Sequence, residues 1–315
     1  MKCFITGFKG QLGYDIVREL YKRGEFDIVV SDLGNLDQEL NNKSIELKEL
    51  GNIEYIPLDI TDKNSVDDTI KKVKPDVIFH CAAWTAVDKA EDMEALVKKV
   101  NVEGTKNLTN ASIENNSKII YMSTDYVFDG TKDGLYLEDD KVNPKSVYGL
   151  TKYQGEEEVR RNPNHFITRI SWVFGINGNN FIKTMLKLSD SHKELNVVDD
   201  QVGTPTYTVD LAKILVDMAS SDKYGTYHVN NDGFCSWAEF AEYIFKINDK
   251  ETKVNKVTTE EYLKLTNAKQ AYRPRNSKLS KEKLINAGFE MLPTWQDATD
   301  RYCEELKKEK VLVKK

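Results

Sequence analysis

Lys2-Cys-Phe-Ile-Thr-Gly7-Phe-Lys-Gly10-Gln-Leu-Gly13-Tyr-Asp-Ile-Val-Arg-Glu-Leu-Tyr-Lys-Arg-Gly24 stands at the head of the chain, and its reading decides the fold. Lys2 to Thr6 is a short apolar run with strand character. Three glycines follow in G-x-x-G-x-x-G spacing. Tyr14 to Arg23 then carries apolar residues at helical period and meets a glycine stop at Gly24. Strand, glycine turn and helix in this order aim backbone N–H groups and a helix N-terminus at one point, where a pyrophosphate binds well. An ordinary tight turn that uses glycines for positive φ has the same local pattern. Its place directly after a strand favours a dinucleotide. Gly7, Gly10, Gln11, Leu12 and Gly13 are the candidate contacts.

The rest of the chain extends this unit. Asp27–Asp32, Ile53–Leu58, Val77–Cys81, Lys118–Ser123, Asn164–Ser171 and Gly225–Val229 read as further strands. Helical stretches alternate with them: Ser65–Val73 after a cap region at Thr61-Asp62, a long run from Glu91 to Asn115, and Val209–Ala219. This alternation predicts an α/β fold, a Rossmann-like doubly wound parallel sheet. Beyond residue 230 helices dominate. The expected division is a dinucleotide-binding domain over 1–170 and 195–230, and a smaller, mostly helical substrate domain over 171–194 and 231–315. Leu33–Asn52 reads as a polar excursion with a possible helix around Ser44–Leu50, and Lys307–Lys315 as a solvated end.

In such a sheet ligands gather at the carboxyl ends of strands. Asp32 ends the second strand, about 20 residues past the glycines, where an acid meets an adenosine ribose 2′-OH and repels a 2′-phosphate. It equally suits the cap of the turn before Gly34. Asp59 and Ile60 follow the third strand, facing an adenine. Ala82, Ala83 and Trp84 follow the fourth, two small residues that let backbone approach a ligand. Ser123, Thr124 and Asp125 close the fifth, with Thr124 the preferred hydroxyl and Ser123 its competitor. Glu138-Asp139-Asp140 reads as a solvated loop.

Tyr148-Gly-Leu-Thr-Lys152 supplies the chemistry. On a helix, positions i and i+4 share a face, about 5–6 Å apart at Cβ. A phenol titrates near pH 10, and a fixed ammonium beside it lowers that value. Such a tyrosine can protonate an alkoxide forming on a carbonyl carbon. The hydride that completes a ketone reduction must come from a cofactor. Tyr148, Lys152 and Thr124 are therefore the candidate catalytic trio.

Composition bounds the alternatives. The chain has 315 residues, 40% hydrophobic and 30% charged, with a net charge of −6. An acidic balance gives no reason to expect nucleic acid or an anionic membrane as partner. Met1 leads straight into a strand, so no secretory leader is expected and a cytoplasmic location is. Cys3, Cys81, Cys235 and Cys303 are widely spaced, as are the four histidines, and no metal site is expected.

These features together resemble the extended short-chain dehydrogenases/reductases. Longer strings are more specific: Gly10-Gln-Leu-Gly13, Cys81-Ala-Ala-Trp-Thr-Ala-Val-Asp-Lys-Ala-Glu91, Ser123-Thr-Asp-Tyr-Val-Phe-Asp-Gly130, Arg169-Ile-Ser-Trp-Val-Phe-Gly175, Asp200-Gln-Val-Gly-Thr-Pro-Thr206 and Arg273-Pro-Arg-Asn-Ser277. This set resembles the dTDP-4-dehydrorhamnose reductase family. The resemblance implies NADH or NADPH as cofactor, with Asp32 favouring NADH, and a nucleotide-sugar substrate. It implies that Tyr148 protonates a C4 keto oxygen, that Lys152 lowers the tyrosine pKa and holds the nicotinamide ribose, and that Thr124 hydrogen-bonds the keto oxygen. It also implies that Thr124, Asp125 and Trp172 contact the sugar nucleotide, and that a homodimer is plausible. Trp84 stands where the family usually has His or Tyr, and the Leu33–Asn52 connection is longer than usual. A reductase of another nucleotide-linked 4-keto-6-deoxysugar, an NAD-retaining epimerase and a non-catalytic dinucleotide-binding regulatory subunit are the competing readings.

Overall fold

Cys3 and Ile5 face one hydrophobic core and Phe4 the opposite one, as the two-residue period of a strand buried on both faces requires. The computed structural model describes residues 1–34 and 53–312. The expected helix around Ser44–Leu50 lies outside the described residues. Strands β1 (Lys2–Thr6), β2 (Asp27–Asp32), β3 (Glu54–Pro57), β4 (Val77–His80), β5 (Lys118–Thr124) and β6 (His165–Ile170) join Gly225–His228 in one seven-stranded sheet. From edge to edge the order is Gly225–His228, β6, β5, β4, β1, β2, β3, and every pairing is parallel. The direction of winding reverses between β1 and β4, which opens a crevice at their carboxyl ends.

Each face is covered by helices. One core packs the first helix, Gln11–Arg23, and Thr208–Ala219 against the sheet through Ile16, Val17, Leu20, Leu211 and Leu215. The other takes Val66 and Ile70 from Lys63–Val73, Leu108 from Thr105–Glu114 and Val159 from Val147–Val159. Asp62 caps Lys63–Val73 by accepting from Asn64 and Ser65 N–H, as the Thr61-Asp62 signal suggested. The first helix begins at Gln11, three residues before its apolar pattern, because the glycine turn feeds directly into it.

A third core lies off the sheet. Phe181–Ser189, Trp237–Ile247 and Trp295–Leu312 pack Ile182, Met185, Phe240, Ile244, Trp295 and Tyr302 around Phe174 and Tyr207. Glu194–Val198 pairs in parallel with Lys253–Val257, apart from the central sheet, while Thr208–His228 returns to it.

The run Glu91–Asn115 is largely helical, as expected: Glu94–Lys98 passes through a π-helical turn, Lys99–Gly104, into Thr105–Glu114. One local expectation changes. In the 138–140 run, Glu138 is buried. It accepts from His228 N–H at 3.1 Å, a long-range pairing that no local pattern discloses.

Candidate active site

At the carboxyl ends of β1, β2, β4 and β5 lies a cleft of about 830 Å³. Its walls include Gly7, Gly10, Gln11, Leu12, Gly13, Asp32, Asp59, Ile60, Ala82, Ala83, Thr124, Asp125, Tyr148, Lys152 and Trp172, so the structure brings nearly every candidate residue to one place. Trp84 is the exception. Its indole N–H donates to Ala86 O at 3.2 Å and its own N–H to Asn101 Oδ1 at 2.8 Å, which holds it off the cleft wall.

The glycine turn is shaped for close approach. Gly7 has φ +69°, and a Cβ there would lie 2.7 Å from Ala82 N. A Cβ on Gly13 would lie 2.3 Å from Gly7 O. Gly10 is the N-cap of the first helix and makes no side-chain cap, so the helix N-terminus faces the cleft through backbone alone. This cradle fits the pyrophosphate of a dinucleotide. The Gln11 side chain is engaged elsewhere. Its Oε1 accepts from Gly175 N–H at 2.8 Å and Asn180 Nδ2 at 3.2 Å, pinning the 175–180 loop to the turn.

Asp32 serves the turn as well as the cleft. Its carboxylate accepts from Lys9 N–H at 3.0 Å and Leu33 N–H at 2.8 Å, and Lys9 Nζ donates to Leu33 O at 3.1 Å. Asp59 Oδ1 accepts from Thr61 N–H at 2.9 Å, and Ile60 O from Asn107 Nδ2 at 3.0 Å, which fixes this part of the cleft wall.

Ser146 caps the helix Val147–Val159 by accepting from Gly149 N–H, and that sets Tyr148 in its first turn and Lys152 in its second. Both line the cleft, and Lys152 is only 3% exposed. Burial raises the Tyr148 phenol above its ordinary value. Asp125 and Tyr126 act in the same direction, and the Thr124 hydroxyl opposes them. This reverses the lowering by Lys152 expected from the spacing. The ammonium lies over the Tyr121 ring, 4.1 Å from its centroid. Burial lowers Lys152 to about 7, against an upward pull from Glu156. The phenol is thus held in its proton-carrying form.

The two hydroxyls of β5 meet different partners. Ser123 Oγ donates to Glu156 Oε1 at 2.5 Å, under the helix. Thr124 stands beside Tyr148, donates to Asp125 Oδ1 at 2.9 Å and accepts from Tyr126 N–H at 3.2 Å. Asp125 is buried, and burial raises its carboxyl to about 6 although Ser277 and Thr124 donate to it. Trp172 holds an unusual backbone, φ +48°, and stacks on Trp237 at 3.6 Å with an 11° interplanar angle.

Several residues here carried no sequence signal of their own. Asn101, in the π-helical turn, accepts from Trp84 N–H and donates to Thr151 Oγ1, joining the segment after β4 to the Tyr148 helix. Tyr126 meets Tyr148 edge-on at 5.6 Å, and Arg273 donates to its hydroxyl while pairing with Asp88. The strings around Tyr126 and Arg273–Ser277 were visible, but which partners they meet was not. Among the described residues no group of three or more His, Cys, Asp or Glu gathers where a metal would be held, and no helix is long and apolar enough to cross a membrane.

A doubly wound parallel sheet with a hydroxyl, a phenol and an ammonium set over its glycine cradle defines an oxidoreductase of the short-chain dehydrogenase/reductase class. The model of the RmlD substrate binding domain family matches residues 1–308. The dTDP-4-dehydrorhamnose reductase of Aggregatibacter actinomycetemcomitans is 38% identical over 311 residues, covering 94% of this chain and 96% of its own. Among solved structures, the dTDP-4-dehydrorhamnose reductase of Clostridium acetobutylicum is 39% identical with a TM-score of 0.83, over 98% of this chain and all of its own. That of Bacillus anthracis, in complex with NADP, is 35% identical with a TM-score of 0.81, over 96% and 99%. The chain belongs to the dTDP-4-dehydrorhamnose reductase family.

Proposed function

We propose that this protein reduces the C4 ketone of dTDP-4-dehydro-β-L-rhamnose to give dTDP-L-rhamnose, with NADH or NADPH as reductant. The observation that carries the reading is the convergence of Thr124, Tyr148 and Lys152 on the cleft that the glycine turn opens. The bound nicotinamide supplies a hydride. Gly7, Gly10, Leu12 and Gly13 take the pyrophosphate through backbone, with the Gln11 amide beside them. Asp32 faces the adenosine ribose, Asp59 and Ile60 the adenine, and Ala82 and Ala83 the dinucleotide's middle. Tyr148 delivers its proton to the keto oxygen as negative charge grows there. Lys152, when protonated, stabilises the phenolate left behind. Asp125 and Trp172 line the part of the cleft that takes the sugar nucleotide.

Asp32 favours NADH, because its charge opposes a 2′-phosphate. The Bacillus anthracis relative's complex with NADP argues for NADPH use. In this reading both serve as reductant, NADH the better. A homodimer and a cytoplasmic setting fit a biosynthetic enzyme of this family.

Loss of the near-ultraviolet absorbance of NADH and, separately, NADPH tests the reading. The sugar nucleotide is generated in situ and Tyr148→Phe serves as control. Oxidation by the wild type and its loss in the variant are expected, faster with NADH. A folded, cofactor-binding protein that oxidises neither overturns the substrate and moves weight to another nucleotide-linked 4-keto-6-deoxysugar.

A further inference from the structure

Behind the catalytic helix lies a buried charge cluster with no part in the steps above. Glu156 follows Lys152 by one turn and Tyr148 by two, on the same face of Val147–Val159, and is fully buried. Its carboxylate accepts from Arg169 Nε at 2.9 Å and Nη2 at 2.8 Å, from Arg160 Nη2 at 2.8 Å and from Ser123 Oγ at 2.5 Å. Arg169, 1% exposed on β6, spends Nη1 on Glu138 O at 2.9 Å. The forked pairing joins the helix to β6, and the serine joins it to β5 one residue before Thr124. A buried ion pair is costly to assemble and is weak evidence for stability by itself. Its position here suggests another use.

We propose that Glu156 is a positioning residue for the Tyr148–Lys152 pair. Locked by Arg169 and Ser123, its carboxylate fixes the register of the helix against β5 and β6 and keeps a negative charge one turn behind the lysine. The inference rests on the functional reading above, in which Lys152 acts as a cation. The groups that face Lys152 leave Glu156 as its principal support. From the end of β4 come Cys81, with its thiol raised to about 12, and His80, with its ring lowered to about 3, both by burial. β5 offers the Tyr121 ring. The helix itself offers the protonated Tyr148 and the anionic Glu156, which its hydrogen bonds to Arg169 hold below the ordinary carboxylate range despite burial. Loss of that negative charge leaves burial less opposed and lowers Lys152 further.

Glu156→Gln tests this with two readouts. One is the titration of Lys152 followed by NMR on isotope-labelled lysine side chains, with the signal assigned by its loss in Lys152→Arg. The other is the pH profile of kcat/KM. In the folded variant the Lys152 titration moves to lower pH by about one unit, and the alkaline limb of kcat/KM moves with it. A folded variant with the wild-type Lys152 titration overturns the proposal. Glu156→Gln leaves Arg169 buried and unpaired, so Glu156→Gln/Arg169→Met, which removes both charges, carries the same expectation where the single variant does not fold. Failure of both to fold makes the pair a folding element only and overturns the proposal too. The NMR titration needs no sugar. A shift in a protein that reduces no sugar upholds the role of Glu156 and discards the substrate.

Discussion

Ser277 donates its hydroxyl to Asp125 Oδ2 at 2.5 Å, and so ties the C-terminal segment to the strand end that carries Thr124. Both residues are 3% exposed. Burial raises the Asp125 carboxyl from 3.8 to about 6. Because the folded value is the higher one, ionisation of Asp125 opposes folding. Its stabilising contribution is complete below 3.8 and is lost as pH rises through about 6. Asp125→Asn removes that dependence. The stability of the variant relative to wild type is expected to rise between acid and neutral pH, by a difference on the order of 3 kcal/mol. Paired thermal melts across pH read it, and a flat difference contradicts the assignment.

Tyr148→Phe keeps the ring against Tyr126 but removes the hydroxyl proposed above to protonate the keto oxygen. kcat is expected to fall by about 10²–10⁴, with the affinity for reduced nicotinamide unchanged by fluorescence titration.

Gly13→Ala places a methyl 2.3 Å from Gly7 O and 2.7 Å from Phe8 Cα, both backbone atoms that cannot turn aside. The turn must deform. A stability loss of about 1–3 kcal/mol is expected in denaturant titrations, and NADH binding should weaken at the pyrophosphate, with no change in the selectivity between NADH and NADPH.

Trp237 is the stacking partner of Trp172, whose backbone sits at φ +48°. Trp237→Ala withdraws a pairing worth about 0.5–1.5 kcal/mol beyond its buried area and leaves Trp172 without its backing. KM for the sugar nucleotide is expected to rise while the dissociation constant of NADH stays put. Equal changes in both would mean a general collapse of the cleft.

What could be read from the chain was whatever nearby residues decide. The glycine turn, the Asp62 cap and the Tyr148–Lys152 spacing each lie within a few positions, and the structure places them where the pattern pointed. Partner choice over long separations was not legible. Glu156, on its helix, meets Arg169 of β6, Glu138 reaches His228 across 90 positions, and Ser277 reaches Asp125 across 152. The net position of the Tyr148 phenol was not legible for a related reason. Spacing along a helix says which side chains share a face, but burial sets the local dielectric, and burial is a property of the assembled cleft.

The order of the strands in the sheet bears on how the chain is made. The first of the sheet's strands along the sequence, β1, is an interior one. β2 and then β3 are laid outward on one side, and β4, β5, β6 and Gly225–His228 outward on the other. Each strand leaving the ribosome therefore finds its neighbour already present. The exposed edge moves outward with synthesis, so no strand of the central sheet has to wait for one that has yet to be translated.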